Sequence, residues 1–103
     1  MGDCRAMVAT VTSTSQKVDL VTPPHTTEDV TELQRIRNTG AKIVQVPPNS
    51  GHVRLFAPGE RFPGLYTTRA IGDTAGQALG VAAQPDLRKT SFERTPGVVL
   101  LGT

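Results

Sequence analysis

The 103-residue chain has the length of one domain, and 37% of its residues are hydrophobic while only 4% are aromatic, so we expect a mainly aliphatic core. Eleven basic and nine acidic residues leave a net charge of +2 without any run of three basic residues, which argues against a nucleic-acid partner. No apolar stretch approaches the roughly 20 residues of a membrane span, and the single cysteine excludes an intramolecular disulfide, so we expect an intracellular, soluble protein of the cytoplasm or nucleus with no membrane partner.

The first two predicted strands form an antiparallel hairpin. Residues 5–11 are apolar on both alternations, which is typical of an internal strand covered on both faces. The polar residues 12–16 predict a turn, and residues 17–22 predict a partner strand that points Val18 and Leu20 inward.

The next predicted element is a surface helix of about three turns. Its apolar residues recur at helical spacing at Val30, Leu33 and Ile36. Thr26 or Thr27 is the predicted N-cap, because a threonine hydroxyl can accept a hydrogen bond from the first free backbone N–H groups. Gly40 is the predicted end of the helix.

The remaining predicted elements are short. Strands are predicted at residues 42–46, 52–57, 86–92 and 98–101, and a short helix at residues 74–79. The fold class predicted from this order is α+β with mostly antiparallel strands.

Two histidines and the cysteine could be reactive side chains, but we interpret them as structural or surface residues. His25 and His52 lie in or beside predicted loops, with no carboxylate partner apparent in the sequence, so we expect ordinary structural or surface histidines. Cys4 lies at the start of the first predicted strand, beside an aspartate that disfavours its thiolate, so we expect a buried structural thiol in place of a nucleophile.

Two aspartates each follow a glycine, in the pairs Gly2–Asp3 and Gly72–Asp73. A glycine lets the backbone turn tightly and leaves the next carboxylate free to face a cation. Hard oxygen ligands of this kind suit Mg²⁺ or Mn²⁺. The alternative is that each aspartate caps a turn, and the pairs alone favour that alternative.

Five sequence motifs together resemble the metal-dependent protein phosphatases of the PPM type, the type 2C Ser/Thr family. In chain order they are GDCRA (2–6), HTTEDVTELQRIRNTGAKI (25–43), GLYTTRAIGD (64–73), GVAAQPDL (80–87) and GVVLLGT (97–103). They occur in the order of the family and cover essentially the whole chain, and Thr68 stands where the family has a serine.

The resemblance implies a fold, a reaction and site residues. Residues 1–103 would be an interior part of an αββα sandwich, and the complete domain would use two Mg²⁺ or Mn²⁺ ions to activate a water that attacks a phosphoserine or phosphothreonine of a phosphoprotein substrate. By motif match, Asp73 would bind one core metal and Asp3 a weaker third metal. Gly2 belongs to the motif of Asp3, and Thr68, Arg69 and Gly72 would position the turn that bears Asp73.

Departures from the family pattern limit the activity expected of this chain. An early Asp-Gly-His-Gly segment and an amino-terminal, phosphate-binding arginine have no counterpart, so only one principal core carboxylate is present. We therefore expect a portion of a phosphatase that is inactive alone. A non-catalytic phosphatase-like binding module is the alternative. An adaptor acylated at Gly2 is a third hypothesis, although the acylation pattern requires Ser or Thr where Ala6 stands.

Overall fold

The computed structural model describes residues 2–92 and 96–102, with the backbone alone for Asp19 and Leu20. The described part contains six strands and two helices. In chain order these are β1 (Arg5–Val11), β2 (Gln16–Val21), α1 (Val30–Arg37), β3 (Lys42–Gln45), β4 (Val53–Phe56), β5 (Pro63–Leu65), α2 (Thr74–Gln77) and β6 (Gly97–Gly102). The strands form two antiparallel sheets of three strands each, which confirms the predicted antiparallel character.

The first sheet, called the β1 sheet, has the strand order β2-β1-β6. Strands β1 and β2 form the predicted hairpin, with Met7 opposite Val21 and Val11 opposite Gln16. In the turn between them, the Thr12 hydroxyl accepts a hydrogen bond from the Ser15 N–H at 2.9 Å. Strand β1 is internal, as predicted, because β6 pairs along its other edge.

The β1 sheet buries little of its apolar surface. Val8 is buried at 5% exposure, whereas Val18 is 55% exposed, so the prediction that Val18 points inward is wrong. The Leu20 side chain, predicted to point inward as well, lies outside the described residues. All of β6 is exposed, including Leu100 and Leu101. The apolar alternation therefore predicted the strands correctly but not the burial of their faces.

The second sheet has the strand order β3-β4-β5 and belongs to what we call the α1 lobe, residues 25–86. Its hydrophobic core joins residues that are far apart in the sequence. The fully or nearly buried members are Ile36, Leu55, Leu79 and Val81, with Leu33, Ile43 and Leu65 packed against them. Helix α1, strand β4 and the turn after α2 therefore share one core.

Helix α1 begins at a different residue from the one predicted. Asp29 is its N-cap, and the Asp29 carboxylate accepts hydrogen bonds from the N–H groups of Thr31 and Glu32. Thr26 and Thr27, the predicted caps, are buried instead. The apolar stripe is narrower than predicted, since Val30 is 74% exposed.

Other boundaries also differ from the prediction. Strand β5 was not predicted, and residues 86–92, predicted as a strand, have no regular secondary structure. The predicted helix at residues 74–79 is shorter and ends at Gln77. Neither helix in the described ranges is long and apolar enough to cross a membrane.

Candidate functional site

The segment that carries the predicted site residues is held on both sides by backbone hydrogen bonds. On one side the Thr68 N–H donates to the carbonyl oxygen of His25 at 2.8 Å. On the other side the Ala82 N–H donates to the Thr68 carbonyl and the Ala70 N–H donates to the Ala82 carbonyl, both at 3.1 Å. Thr68 is fully buried. The segment from Thr68 to Asp73 therefore starts from a buried backbone that hydrogen bonds hold on both sides inside the α1 lobe.

Asp73 lies where this segment turns into α2. Gly72 has a φ of +78°, a left-handed conformation that favours glycine, and Asp73 is the N-cap of α2. The Asp73 Oδ1 accepts a hydrogen bond from the Gly76 N–H at 2.8 Å. A Cβ on Gly76 would lie 2.6 Å from Asp73 Oδ2, so only glycine leaves room for the carboxylate. The capping interpretation of Asp73 is thus confirmed, and its role as a metal ligand stays a prediction.

The second glycine–aspartate pair contacts the same segment. Gly2 has a φ of +67°, and its carbonyl oxygen accepts a hydrogen bond from the His25 N–H at 2.8 Å. A Cβ on Gly2 would lie 3.6 Å from Thr67 Cγ2 and 3.7 Å from the Arg69 carbonyl oxygen. Gly2 therefore lies beside the backbone that leads to Asp73, while the next residue, Asp3, is exposed.

The described residues do not assemble a metal centre by themselves. Mg²⁺ and Mn²⁺ prefer about six oxygen ligands from carboxylates, carbonyls and water. Within residues 2–92 and 96–102, no group of three His, Cys, Asp or Glu residues is close enough to hold a metal ion. Asp73 and Asp3 are therefore too few, and the described donors do not fit a dinuclear metal site on their own.

The strongest electrostatic feature of the region is Arg69. Its guanidinium binds Glu32 with two hydrogen bonds, from Nε to Oε2 at 3.0 Å and from Nη2 to Oε1 at 2.7 Å. The Arg69 Nη1 donates to the Gln84 carbonyl oxygen at 3.0 Å and to Asp86 Oδ1 at 2.8 Å. The Arg69 side chain is only 14% exposed. A planar guanidinium suits such two-point pairing with a carboxylate.

A second arginine shares the same carboxylate. The Arg35 Nη2 donates to Glu32 Oε2 at 2.9 Å and to the Thr68 carbonyl oxygen at 3.1 Å. The Arg35 Nη1 donates to the Gly80 carbonyl oxygen. Glu32 therefore holds two arginines, and each arginine binds backbone carbonyls of the polypeptide that surrounds Asp73.

The pKa values follow from these contacts. Burial would raise the pKa of Glu32, but its interactions with Arg69, Arg35 and Thr68 outweigh burial and lower the pKa to about 2. The hydrogen bond to Glu32 raises the pKa of Arg69. Asp86 is exposed, and hydrogen bonds from His25 and Arg69 lower its pKa. Both carboxylates are therefore stabilised in the ionised form.

The histidines are, as expected, a buried structural one and an exposed surface one, but each has a carboxylate partner, and the cysteine differs from expectation. His25 is buried, and its Nε2 lies 3.0 Å from Asp86 Oδ2, so it has the carboxylate partner that the sequence did not reveal. His52 also has one, since its Nδ1 lies 3.5 Å from Glu28 Oε1, with both side chains exposed. Cys4 is exposed, so the prediction of a buried thiol is wrong.

Two functional candidates were missed from the sequence, Glu32 and Asp86. The spacing of Glu32 and Arg35 on one helix face could have indicated their ion pair. Nothing in the sequence connects Glu32 to Arg69, 37 positions later, or His25 to Asp86, 61 positions later.

Comparison with known proteins decides the family. The sequence model of the family described as Protein phosphatase 2C matches residues 1–103 of the chain. The chain belongs to the protein phosphatase 2C family. This membership confirms the resemblance that the five motifs indicated.

Individual type 2C relatives support the same membership. A protein of Oryza sativa subsp. japonica named "Probable protein phosphatase 2C 12" is 34% identical over 89 residues, which are 84% of this chain and 23% of the relative. In Arabidopsis thaliana, the protein named "Probable protein phosphatase 2C 72" is 27% identical over 104 residues, which are 100% of this chain and 31% of the relative. The Arabidopsis thaliana protein named "Probable protein phosphatase 2C 61" is 28% identical over 104 residues, which are 100% of this chain and 32% of the relative. The chain therefore spans a quarter to a third of these relatives. No solved structure matches the chain.

Proposed function

We propose that the chain acts as part of a Mg²⁺- or Mn²⁺-dependent protein phosphatase that hydrolyses phosphoserine and phosphothreonine in phosphoprotein substrates. The observation that carries the proposal is the type 2C family match over residues 1–103. The chain would contribute residues 1–103 of a larger αββα sandwich, and its two antiparallel sheets and α1 are compatible with a part of that fold. We place the protein in the cytoplasm or nucleus.

Within that proposal the site residues have distinct roles. Asp73 would bind one core metal ion, and Asp3 would help to bind a weaker third one. The bound metals would supply an activated water and neutralise charge on the phosphoryl group. Gly2 and Gly72 would allow the turns that present the two carboxylates, and Thr68 and Arg69 would position the turn that bears Asp73.

The 103-residue chain alone should lack this activity. Its described residues bring too few oxygen donors together for a dinuclear site. The same observation favours a second candidate function, a non-catalytic phosphatase-like module that binds a partner protein. The two functions predict different responses to loss of the Asp73 carboxylate, because catalysis needs that charge and partner binding does not.

The test measures phosphate release from a phosphothreonine peptide by the full-length gene product with MnCl₂. Asp73→Asn is the informative variant, because an asparagine oxygen can still cap α2 but carries no negative charge. We expect release that chelation by EDTA abolishes and that Asp73→Asn lowers by about a hundredfold or more. The isolated 103-residue chain should release no phosphate under the same conditions.

Two results would overturn the proposal. One is a full-length product without any Mn²⁺-dependent release, which would favour the binding module. The other is undiminished activity in the Asp73→Asn variant, which would remove Asp73 from the metal site. A Glu60→Gln variant is the control. Glu60 is exposed, and it lies in a loop that is separate from α2 in the sequence.

A further inference from the structure

Glu32 differs from the other acidic residues described on or beside α1. The side chain of Glu28 is 54% exposed, whereas that of Glu32 is 5% exposed and carries a charge inside the α1 lobe. A buried carboxylate is costly unless it is paired and hydrogen-bonded. Glu32 satisfies both conditions, because its two oxygens accept three hydrogen bonds from Arg69 and Arg35.

The two arginines that bind Glu32 also bind the polypeptide before and after Asp73. Arg35 binds the carbonyl oxygens of Thr68 and Gly80, which lie before and after α2 in the sequence. Arg69 binds the Gln84 carbonyl oxygen and Asp86. The loop that contains Gly72, Asp73 and α2 is therefore fixed at both ends by guanidinium groups that share one carboxylate.

We propose that Glu32 is a positioning residue for the Gly72–Asp73 turn, acting through Arg69 and Arg35. The proposal rests on the proposed function, since it is the role of Asp73 that gives the position of this turn a purpose. Without the charge of Glu32, the two guanidinium groups would lie close together with no shared counter-ion, and their bonds to the Thr68 and Gly80 carbonyls would weaken. The turn would then open locally while the distant strands stay paired.

Alternative explanations make different predictions about where the structure loosens. If Glu32 merely stabilised the whole chain, its loss would increase opening of every hydrogen bond by a similar factor. If it positions the turn, the effect is confined to bonds that depend on the two arginines. Amide hydrogen exchange followed by NMR separates these cases, because it reports local opening residue by residue.

The experiment compares Glu32→Gln with the unchanged 103-residue chain. Three reporter amides test the turn: Gly76 N–H, bonded to Asp73 Oδ1; Thr68 N–H, bonded to the His25 carbonyl; and Ala82 N–H, bonded to the Thr68 carbonyl. Two reference amides lie in the same lobe but bond to carbonyls that the two arginines do not contact: Val46 N–H, bonded to the His52 carbonyl, and Ala57 N–H, bonded to the Phe62 carbonyl.

We expect Glu32→Gln to accelerate exchange of the reporter amides by about tenfold or more, and of the reference amides by less than about twofold. The matched control Glu60→Gln removes one exposed carboxylate and should change all five amides by less than about twofold. A uniform acceleration of reporters and references, or no change in the reporters, would overturn the proposal.

A milder variant keeps the proposal testable if Glu32→Gln does not fold. Glu32→Asp retains the charge but is one methylene shorter, so it cannot reach both arginines as Glu32 does. We expect it to accelerate the reporter amides by about threefold, again without the references, and an unchanged pattern would overturn the proposal. The exchange experiment uses neither metal nor substrate. A full-length product without phosphatase activity would therefore overturn the proposed function without changing the exchange result.

Discussion

The α1 lobe and the β1 sheet both contain apolar strands, but they bury the apolar side chains to different extents. In the α1 lobe, Ile36 and Leu55 are completely buried, and residues from α1, β4 and the turn after α2 meet in one core. In the β1 sheet, Val18 and Leu100 are each more than half exposed, and among the side chains described there only Val8 is a buried hydrophobic residue. Strand pairing by itself therefore does not indicate which part of this chain supplies its stability.

The comparison also shows where charge is used. The α1 lobe surrounds its core with the ion pairs of Glu32, Arg69 and Arg35, which tie the helix to the polypeptide around Asp73. Strand β6, Gly97–Gly102, has no charged residue at all. We infer that the α1 lobe can hold Asp73, a predicted metal ligand, in place without the β1 sheet. The predictions below test whether the two regions differ in stability.

The largest effect should come from Leu55→Ala. This substitution removes a completely buried side chain from the core of the α1 lobe and should lower the free energy of unfolding by about 2–5 kcal/mol. The matched control is Leu100→Ala in β6, where the side chain is 52% exposed and the loss should stay below about 1 kcal/mol. Urea unfolding followed by far-ultraviolet circular dichroism, which reports on the strands of both sheets, measures both. Equal losses would show that the two regions contribute alike.

A slightly smaller effect should appear as the pH is lowered. Glu32 has a pKa of about 2 in the folded chain against a usual 4.5, so its contribution is fully present above about pH 4.5 and disappears as the pH falls to about 2. A shift of that size corresponds to about 3 kcal/mol of stability. The lowered pKa of Asp86 acts in the same direction.

Urea titrations at several pH values between 7 and 2 measure this dependence. The Glu32→Gln variant should be less stable at neutral pH but should lose about 3 kcal/mol less than the unchanged chain on acidification. Glu60→Gln should follow the unchanged chain. A Glu32→Gln curve parallel to that of the unchanged chain would contradict the assignment of the acid sensitivity to Glu32.

The elements that the sequence predicted are those decided by neighbouring residues. The β1–β2 hairpin depends on a local turn, and α1, which at about two turns is shorter than predicted, on a local apolar spacing, so both follow from short windows. Strand β5 was missed because it begins with Pro63 and Gly64, which are poor strand formers. It pairs with β4 through tertiary structure that a local pattern does not contain.

In the candidate site, too, the features that the sequence predicted are those decided by neighbouring residues. The pairs Gly2–Asp3 and Gly72–Asp73 stood out because glycine precedes a carboxylate within a family motif, and the positive φ of both glycines agrees with the predicted tight turns. The burial of Glu32 could not be read from its helix, since it depends on Arg69 from a distant segment. His25 and Asp86 likewise become partners only when the chain folds.

Amide exchange of the unchanged 103-residue chain is the most direct test of the central claim that the α1 lobe is the more stable region and holds the Asp73 turn. The Leu79 and Ala82 N–H groups report on the α1 lobe, and the Thr22 and Val11 N–H groups on the β1 sheet, because each donates a backbone hydrogen bond. We predict exchange at least about tenfold slower for the α1 lobe. Equal rates, or slower exchange in the β1 sheet, would contradict the account.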